Sequence, residues 1–225
     1  MSNTAIVLAA GSGTRMKLNQ NKIFLKIGGK TVIERSVEAM LEVESIDRVI
    51  VACKQSEMDL LSSLINDKRV SFCIGGSTRQ QSVLNAVKLI DSADLVVIHD
   101  GARPLVTKKS IESVIDKAME CGAAATGVWV KDTIKVVNDD MKIISTPNRS
   151  TLVAIQTPQV FRFDTYKEAA KLAIEQGKDL TDDCQLVENM GISVFAVEGD
   201  YDNIKITTPQ DICVAESILN RTNHK

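Results

Sequence analysis

Histidine is nearly absent from this sequence of 225 residues, which contains only His99 and, one residue from its C-terminus, His224. A histidine-rich metal site and a conventional serine triad are therefore hard to assemble, because each depends on imidazole side chains. The five cysteines include no C-x-x-C pair, and four of them lie in apolar runs or predicted helices. We expect reduced thiols in the core, a structural His99 and no metal site built from protein side chains.

A net basic charge and a long apolar segment are absent as well. The formal net charge is −2 and the isoelectric point is about 5.8, which argues against sequence-independent binding of nucleic acid. The N-terminus has no basic region before its apolar run, and that run is far below the roughly 20 residues that span a bilayer. With 44% hydrophobic and 25% charged residues, the sequence predicts one cytoplasmic globular domain over residues 1–225, with no nucleic-acid or membrane partner.

A small-residue loop follows the first apolar run of the chain. The run Thr4–Ala10 predicts a buried strand, and Gly11–Arg15 and Lys22 come after it. Glycines let backbone N–H groups approach an anion closely, while Arg15 and Lys22 supply positive charge. The segment therefore predicts a loop that holds phosphate groups.

Two familiar phosphate motifs do not fit this region. A dinucleotide-binding fingerprint needs a third glycine where Met16 stands, and an acidic strand end where Glu34 lies within a helical pattern. The triplet Gly29–Thr31 resembles the end of a nucleotide triphosphatase loop, but the first glycine of that motif would fall at Phe24. Both interpretations are rejected.

Strand-like runs alternate with amphipathic helical patterns along the first 130 residues. This alternation predicts a mostly parallel sheet with helices on both faces, a Rossmann-like three-layer α/β/α fold. The predicted strands are Thr4–Ala10, Asp47–Ala52, Val70–Ile74, Leu95–His99 and Ala123–Val130. The predicted helices begin near Thr31, Ser56 and Thr78, and a further one runs over Lys108–Cys121. Ligands of such folds bind at the carboxyl ends of the strands. The loops at Gly11, Gly75–Ser77 and Asp100–Pro104 should meet there.

The segment Lys131–Ser150, which we call the arm, breaks the alternation and predicts a β-hairpin. An isolated two-stranded ribbon is marginally stable in water, so we expect the arm to pack on a second copy of the chain. The remaining elements are an extended piece over Ala154–Phe161, helices from Asp164 and Asp182, a strand over Ile192–Val197, and a last helix that Thr208 caps and Pro209 opens.

An excess of cations with one well-placed carboxylate is predicted at this edge of the sheet. The residues are Arg15, Lys22, Arg79, Asp100, Arg103, Arg149 and Lys205. Transfer of phosphoryl or nucleotidyl groups needs this mixture, because negative charge builds on phosphate oxygens while positioning does most of the catalysis. Asp100 would serve a ribose hydroxyl or a magnesium ion.

Seven segments, in order between about Thr4 and Ile218, carry a family resemblance. They are Ala9–Met16, Asn21–Lys22, Gly75–Arg79, His99–Pro104, Gln156–Phe161, Leu180–Asp183 and Asp202–Lys205. With these segments the chain resembles the cytidylyltransferases that make CDP-methylerythritol from CTP and 2-C-methyl-D-erythritol 4-phosphate in isoprenoid precursor synthesis. The resemblance implies a GT-A-like nucleotidyltransferase fold, Mg²⁺ bound mainly through the CTP phosphates, and a homodimer formed through the 131–150 arm.

The resemblance also implies roles for individual residues. Arg15 and Lys22 would stabilise the pentavalent α-phosphorus, and Arg149 and Lys205 would position the attacking phosphate. The nucleotide would be surrounded by Ala9, Ala10, Gly11, Gly13, Gly76, Ser77, Arg79, Ser82 and Asp100. The acceptor pocket would comprise Asp100, Arg103, Thr133, Arg149, Thr157 and Lys205. The arm would lend Thr133 to the neighbouring subunit, and whether Arg149 also acts in trans stays open.

Two alternatives remain at this point. An enzyme that uses ribitol 5-phosphate for wall polymers shares the nucleotide loops, although Leu180–Asp183 and His99–Pro104 favour methylerythritol phosphate as the acceptor. A catalytically inactive nucleotide-binding module should have lost a cation from the proposed catalytic set. This chain retains all four members, Arg15, Lys22, Arg149 and Lys205.

Overall fold

The computed structural model describes residues 2–11, 21–177, 180 and 182–223. Its strands are β1 (Asn3–Leu8), β2 (Lys26–Ile27), β3 (Lys30–Thr31), β4 (Ile46–Cys53), β5 (Val70–Ile74), β6 (Leu95–Asp100), β7 (Ala123–Trp129), β8 (Val136–Val137), β9 (Ile143–Ser145), β10 (Val153–Arg162) and β11 (Phe195–Glu198). Its helices are α1 (Val32–Leu41), α2 (Met58–Leu64), α3 (Arg79–Val87), α4 (Lys108–Cys121), α5 (Phe163–Glu175), α6 (Asp183–Glu188) and α7 (Pro209–Asn223). Within these described ranges, no helix is long and apolar enough to cross a membrane.

The central sheet has seven strands in the order β11-β7-β10-β6-β1-β4-β5. Neighbouring strands are parallel except around β10, which runs antiparallel to both β6 and β7. The predicted extended piece Ala154–Phe161 is thus an interior strand of the sheet. Its pairing with β7 skips from Ile155 to Gln159, so Pro158, which has no N–H to donate, lies where the ladder is interrupted.

Helix starts follow the capping signals of the sequence. Thr31 and Glu34 form a capping box at the start of α1, and the side chains of Thr78, Thr107 and Asp182 accept backbone hydrogen bonds at the starts of α3, α4 and α6. The predicted bounds of α4 and β5 are confirmed. The predicted strand Ile192–Val197 was placed too early, because the strand is Phe195–Glu198.

Side chains of the sheet alternate between two apolar cores. Ala5 and Val7 of β1 pack in one core with α1 and α4, whereas Ile6 between them belongs to the other core with α3 and α5. This alternation follows from the two-residue period of a strand. The three-layer α/β/α fold with a mostly parallel sheet is therefore confirmed, and β10 is its one antiparallel strand among the described residues.

Three of the five cysteines lie in these cores as predicted, whereas Cys121 is half-buried and the prediction is wrong for Cys213, which is exposed. All five are free, and three of them, Cys53, Cys73 and Cys184, are buried. Burial raises the pKa of both Cys53 and Cys73 to about 11. Both thiols are thus protonated and unreactive near neutral pH.

The arm is a short ribbon of β8 and β9, and its residues are exposed except for half-buried Pro147. Asn138 closes its turn, because the Asn138 side chain accepts the backbone N–H of Lys142 at 2.9 Å. Six apolar side chains of the arm are 40–75% exposed: Ile134, Val136, Val137, Met141, Ile143 and Ile144. Within the described part of one chain, this apolar surface is left uncovered.

Candidate active site

A cavity of about 420 Å³ opens at the carboxyl ends of β1, β5 and β6. The three predicted loops meet there. Its lining comprises Leu8, Ala9, Ala10, Gly11, Lys22, Ile23, Gly76, Ser77, Thr78, Arg79, Ser82, Asp100, Ala102, Lys205 and Thr207. Ten of these residues were predicted for the site, whereas Leu8, Ile23, Thr78, Ala102 and Thr207 were not. Gly13 and Arg15, also predicted, lie outside the described residues.

Close packing between the loops explains the glycines after β5. The Gly75 N–H donates to the carbonyl of Cys53 at 2.7 Å. A Cβ on Gly75 would lie 2.3 Å from the Cβ of Ala10, and one on Gly76 would lie 2.1 Å from the Cγ of Gln81. A side chain at Gly75 would therefore push the loop after β1 away from the loop after β5, and one at Gly76 would collide with the first turn of α3.

Ser82 fastens the glycine loop to the start of α3. Its hydroxyl accepts the Gly76 N–H at 3.0 Å and donates to the Thr78 carbonyl at 2.9 Å. Ser82 therefore shapes the cavity wall through bonds within the protein, in addition to lining the cavity.

Lys22 is positioned by its neighbour Asn21. The Asn21 amide donates to the carbonyl of Gly11 at 3.3 Å and to both carboxylate oxygens of Glu57 at 3.1 Å, while its oxygen accepts the Ile23 N–H at 3.4 Å. These bonds tie Asn21 to Gly11 and to Glu57, the residue directly before α2. Asn21 stands in a segment of the family resemblance but had no predicted role, and Glu57 was not predicted, because neither periodicity nor spacing indicates a contact between positions 36 residues apart.

Asp100 is the electrostatic centre of the cavity. Its carboxylate lies 2.7 Å from Lys205 Nζ, 3.6 Å from Arg79 Nε and 3.8 Å from Arg103 Nε. Burial alone would raise the pKa of Asp100, but Lys205, Arg79 and Arg103 outweigh it and hold the pKa well below its usual range. Asp100 is therefore ionised and faces three cations, of which Lys205 is the nearest.

Arg79 contacts a second carboxylate behind the cavity wall. Its Nη1 lies 2.5 Å from Oδ2 of Asp183, whose other oxygen accepts the Tyr166 hydroxyl at 2.6 Å. Burial lowers the pKa of Arg79, but the two carboxylates Asp183 and Asp100 outweigh it and raise that pKa. Asp183 stands in the Leu180–Asp183 segment of the family resemblance but had no predicted role, because 104 residues separate it from Arg79.

His99 is a fully buried structural residue, as predicted. Its Nδ1 lies 3.0 Å from the Thr157 hydroxyl and its Nε2 lies 3.1 Å from the Arg103 carbonyl. Because the Arg103 carbonyl can only accept, Nε2 carries the hydrogen, and in the neutral ring Nδ1 accepts the hydrogen of the Thr157 hydroxyl. The Thr157 Oγ1 in turn accepts the Asp100 N–H at 3.0 Å. Burial lowers the pKa of His99 to about 4, so this neutral tautomer persists at neutral pH.

Two predicted acceptor residues lie beneath the cavity rather than in its lining. Thr157 supports Asp100 as just described. Arg103 donates from Nη1 to the Asn203 carbonyl at 2.7 Å, and the Asn203 side chain donates to the Thr157 carbonyl at 2.9 Å. This network joins β6, β10 and the segment that carries Lys205.

Thr133 and Arg149, also predicted for the site, lie on the arm and do not reach the cavity within one chain. Arg149 Nη1 donates to the Lys131 carbonyl at 2.7 Å. A second, open cavity of about 510 Å³ is lined by Trp129, Val130, Asn148, Arg149 and Ser150. The prediction that Arg149 lies at the same sheet edge as Asp100 and Lys205 is therefore wrong within one chain, because Arg149 lies on the exposed arm at a separate cavity.

Comparison with known proteins places this site in a family context. The profile of the family described as 2-C-methyl-D-erythritol 4-phosphate cytidylyltransferase matches residues 3–221. A relative from Caldanaerobacter subterraneus subsp. tengcongensis with that name is 46% identical over 98% of this chain and 100% of its own length. Another, from Clostridium acetobutylicum, is 41% identical over 98% of this chain and 99% of its own length.

Solved structures agree with the sequence relatives. The crystal structure of 4-diphosphocytidyl-2C-methyl-D-erythritol synthase from Anaerococcus prevotii is similar with a TM-score of 0.87 at 32% identity, covering 97% of this chain and 98% of that one. The 2-C-methyl-D-erythritol 4-phosphate cytidylyltransferase of Thermus thermophilus gives a TM-score of 0.80 at 31% identity, over 97% and 98% of the two chains. With the profile match over nearly its whole length, the chain belongs to the 2-C-methyl-D-erythritol 4-phosphate cytidylyltransferase family.

Proposed function

We propose that this protein transfers the cytidylyl group of CTP to 2-C-methyl-D-erythritol 4-phosphate, forming 4-diphosphocytidyl-2-C-methyl-D-erythritol and pyrophosphate. The observation that carries the proposal is the convergence of Lys22, Arg79, Asp100 and Lys205 in one cavity between two glycine loops. Membership of the family supplies the identity of the substrates.

In the proposed reaction, a phosphate oxygen of the acceptor attacks the α-phosphorus of CTP and pyrophosphate leaves. Lys22, in the cavity lining, stabilises the negative charge that develops on the equatorial oxygens. Lys205 is held by Asp100 but remains 40% exposed at its side chain, so it can bind the attacking phosphate. Arg15 is assigned the same role as Lys22 by the family resemblance alone.

The nucleotide is proposed to lie along the two glycine loops, against the backbone of Ala9–Gly11 and of Gly76–Ser77. The exocyclic amino group of cytosine is a donor, and small residues let backbone carbonyls accept from it at close range. Asp100 and Arg79 lie at the sugar side of these loops in this arrangement. Positioning and electrostatics then carry the catalysis without a covalent enzyme intermediate.

The residues present fit a magnesium ion carried by the triphosphate. Asp100 is the one carboxylate among the described lining residues, and its oxygens already face three cations. Within the described ranges no group of three His, Cys, Asp or Glu residues could hold a metal. Magnesium bound to the phosphates would neutralise part of their charge, while the chain's own cations orient the nucleotide.

We further propose a single domain over residues 1–225 that forms a homodimer through the arm, in the cytoplasm, where CTP is made. The uncovered apolar side chains of Ile134, Val136, Ile143 and Ile144 support this assembly. Within one chain, Thr133 does not line the cavity. In the proposed dimer, the arm of each subunit would bring its Thr133 to the cavity of the other subunit. If Arg149 also reaches the cavity of the other subunit, it would bind the acceptor phosphate there together with Lys205.

The acceptor has one alternative, D-ribitol 5-phosphate, because polyol phosphates share the group that Lys205 would bind. The test is formation of the cytidylyl product from CTP and magnesium with each polyol phosphate, followed by mass spectrometry of the product and by pyrophosphate release. Product with methylerythritol phosphate supports the proposal. Binding of CTP without turnover on either acceptor would instead indicate an inactive nucleotide-binding module.

A further inference from the structure

The segment Leu180–Asp183 contains two adjacent aspartates, which differ in burial and in the residues that bind their carboxylates. Asp182 is half-buried and caps α6: one carboxylate oxygen accepts the Gln185 N–H at 3.1 Å, and the other accepts the Gln159 side-chain amide at 3.4 Å. Asp183, the first residue of α6, is 1% exposed and faces the core beneath the nucleotide cavity. The proposed reaction does not use Asp183, so its burial calls for a separate explanation.

A buried carboxylate is costly unless charge and hydrogen bonds compensate for it. Asp183 has both, since Arg79 lies 2.5 Å from one oxygen and the Tyr166 hydroxyl donates to the other at 2.6 Å. Its backbone N–H also donates to the Gln159 side chain at 3.1 Å. Both the position and the orientation of the carboxylate are therefore fixed by surrounding elements.

The Arg79 guanidinium spans this buried carboxylate and the one in the cavity. It lies much closer to Asp183 than to Asp100, which is 3.6 Å away. Asp183 thus anchors the guanidinium from behind, and the 27% of the Arg79 side chain that is exposed faces the cavity. We propose that Asp183, with Tyr166, is a positioning residue that holds Arg79 for CTP and thereby sets the affinity for the nucleotide.

The inference rests on the proposed function, because it concerns the same cavity. Without the charge of Asp183, the guanidinium would move toward Asp100 and compete there with Lys205, whose Nζ is 2.7 Å from the same carboxylate. Arg79 would leave its place at the cavity wall, and CTP would lose a preset contact. The effect on nucleotide binding should exceed the effect on the rate at saturating CTP.

The matched pair of variants is D183N and D182N, the same chemical change at adjacent positions. Asparagine is as good a helix cap as aspartate, so D182N preserves α6. CTP affinity is measured by titration calorimetry with magnesium present, and kcat and KM for CTP are measured in parallel. We expect D183N to raise the Kd and KM for CTP about tenfold, the usual cost of losing a charged hydrogen-bond partner, with a smaller change in kcat. D182N should stay within about twofold.

A double-mutant cycle with R79M separates positioning from general damage to the fold. If Asp183 acts through Arg79, adding D183N to R79M weakens CTP binding no further. Y166F keeps the Asp183 carboxylate and removes its hydrogen bond from Tyr166, so it should raise the Kd for CTP by about threefold to fivefold. This variant provides the test if D183N does not fold. Thermal unfolding of each variant shows which remain folded at the assay temperature.

Equal Kd values for D183N and D182N, or a D183N effect that persists undiminished in R79M, would overturn the inference while leaving the proposed function intact. Wild-type Kd values in folded Y166F would do the same. Wild-type protein that binds no CTP at all would contradict the proposed function, and the inference with it.

Discussion

Lys205 Nζ lies 2.7 Å from Oδ2 of Asp100, the carboxylate whose other oxygen faces Arg79 at 3.6 Å. A cation proposed for the acceptor phosphate and a cation proposed for the nucleotide therefore face the same buried carboxylate. The two halves of the cavity are electrostatically coupled through Asp100. Its replacement should disturb both substrates together.

Asp100→Asn tests this coupling. Without the carboxylate charge, Arg79, Arg103 and Lys205 repel one another and lose their common partner, so kcat/KM should fall by on the order of tenfold or more for both CTP and the acceptor. Steady-state kinetics with each substrate varied in turn measure the change. Asp91→Asn, the same change at an exposed position, is the control. A kcat/KM within threefold of wild type for either substrate would refute the coupling.

Lys22→Ala tests the proposed stabilisation of the transition state. Loss of one preorganised electrostatic contact typically lowers kcat by on the order of 10² or more, and CTP binding should fall less because the charge develops during reaction. Lys26→Ala removes an exposed lysine of β2 and should leave kcat unchanged. A Lys22→Ala enzyme with kcat within threefold of wild type would remove Lys22 from the catalytic role.

His99 makes stability depend on pH in a predictable direction. Burial lowers the pKa of His99 to about 4, below the value of about 6.5 for an exposed imidazole. Between these values the unfolded chain binds a proton that the folded chain does not, so stability falls as pH drops from about 6.5 toward 4. The contribution of His99 to this loss is about 3 kcal/mol.

The comparison variant is His99→Gln, which cannot titrate. It should be less stable than wild type at pH 7, because two buried hydrogen bonds change, but its free energy of unfolding should fall less steeply with acid. Urea unfolding at several pH values between 4.5 and 7.5 measures both slopes. Parallel curves for the two proteins would show that His99 is not the group responsible.

Much of the fold was predictable because local chemistry specified it. The bounds of α4 follow from a capping threonine and the left-handed Gly122 that ends the helix, and the three cavity loops follow from parallel strands that share one edge. The place of β10 was not predictable, because a strand containing Pro158 gives no local sign that it pairs on both sides.

Some of the site residues could likewise be predicted from the sequence, and others could not. The sequence could group Lys22, Asp100 and Lys205, because it predicts all three at the edge of the sheet where the parallel strands have their carboxyl ends. The contact between Arg79 and Asp183 joins residues 104 positions apart, and neither periodicity nor spacing encodes it. The location of Thr133 depends on a second chain, which a single sequence cannot place.

The proposed dimer is tested by removing the apolar surface of the arm. Deleting Ile134–Ile144, with a short glycine turn closing the gap, should give a monomer that still binds CTP but loses most turnover, because the acceptor pocket lacks the partner's residues. Replacing Ile143 and Ile144 by serine should weaken association in the same direction. Ile174→Ser changes an equally exposed isoleucine on α5 and should leave assembly intact.

Light scattering at micromolar concentration and steady-state turnover are the measurements for the arm variants. A mass near 24.5 kDa for the intact protein would exclude the dimer. Full activity in the deletion variant would exclude a catalytic contribution of the arm while leaving its role in assembly untouched.

The most direct test of the proposed activity is the ranking of two acceptors in one assay. With CTP and magnesium, pyrophosphate release is followed while 2-C-methyl-D-erythritol 4-phosphate or D-ribitol 5-phosphate is varied. We predict a kcat/KM at least about tenfold higher for methylerythritol phosphate, since the family and the segments Leu180–Asp183 and His99–Pro104 favour that acceptor. A higher kcat/KM for ribitol phosphate, or no pyrophosphate release with methylerythritol phosphate, would contradict the proposed function.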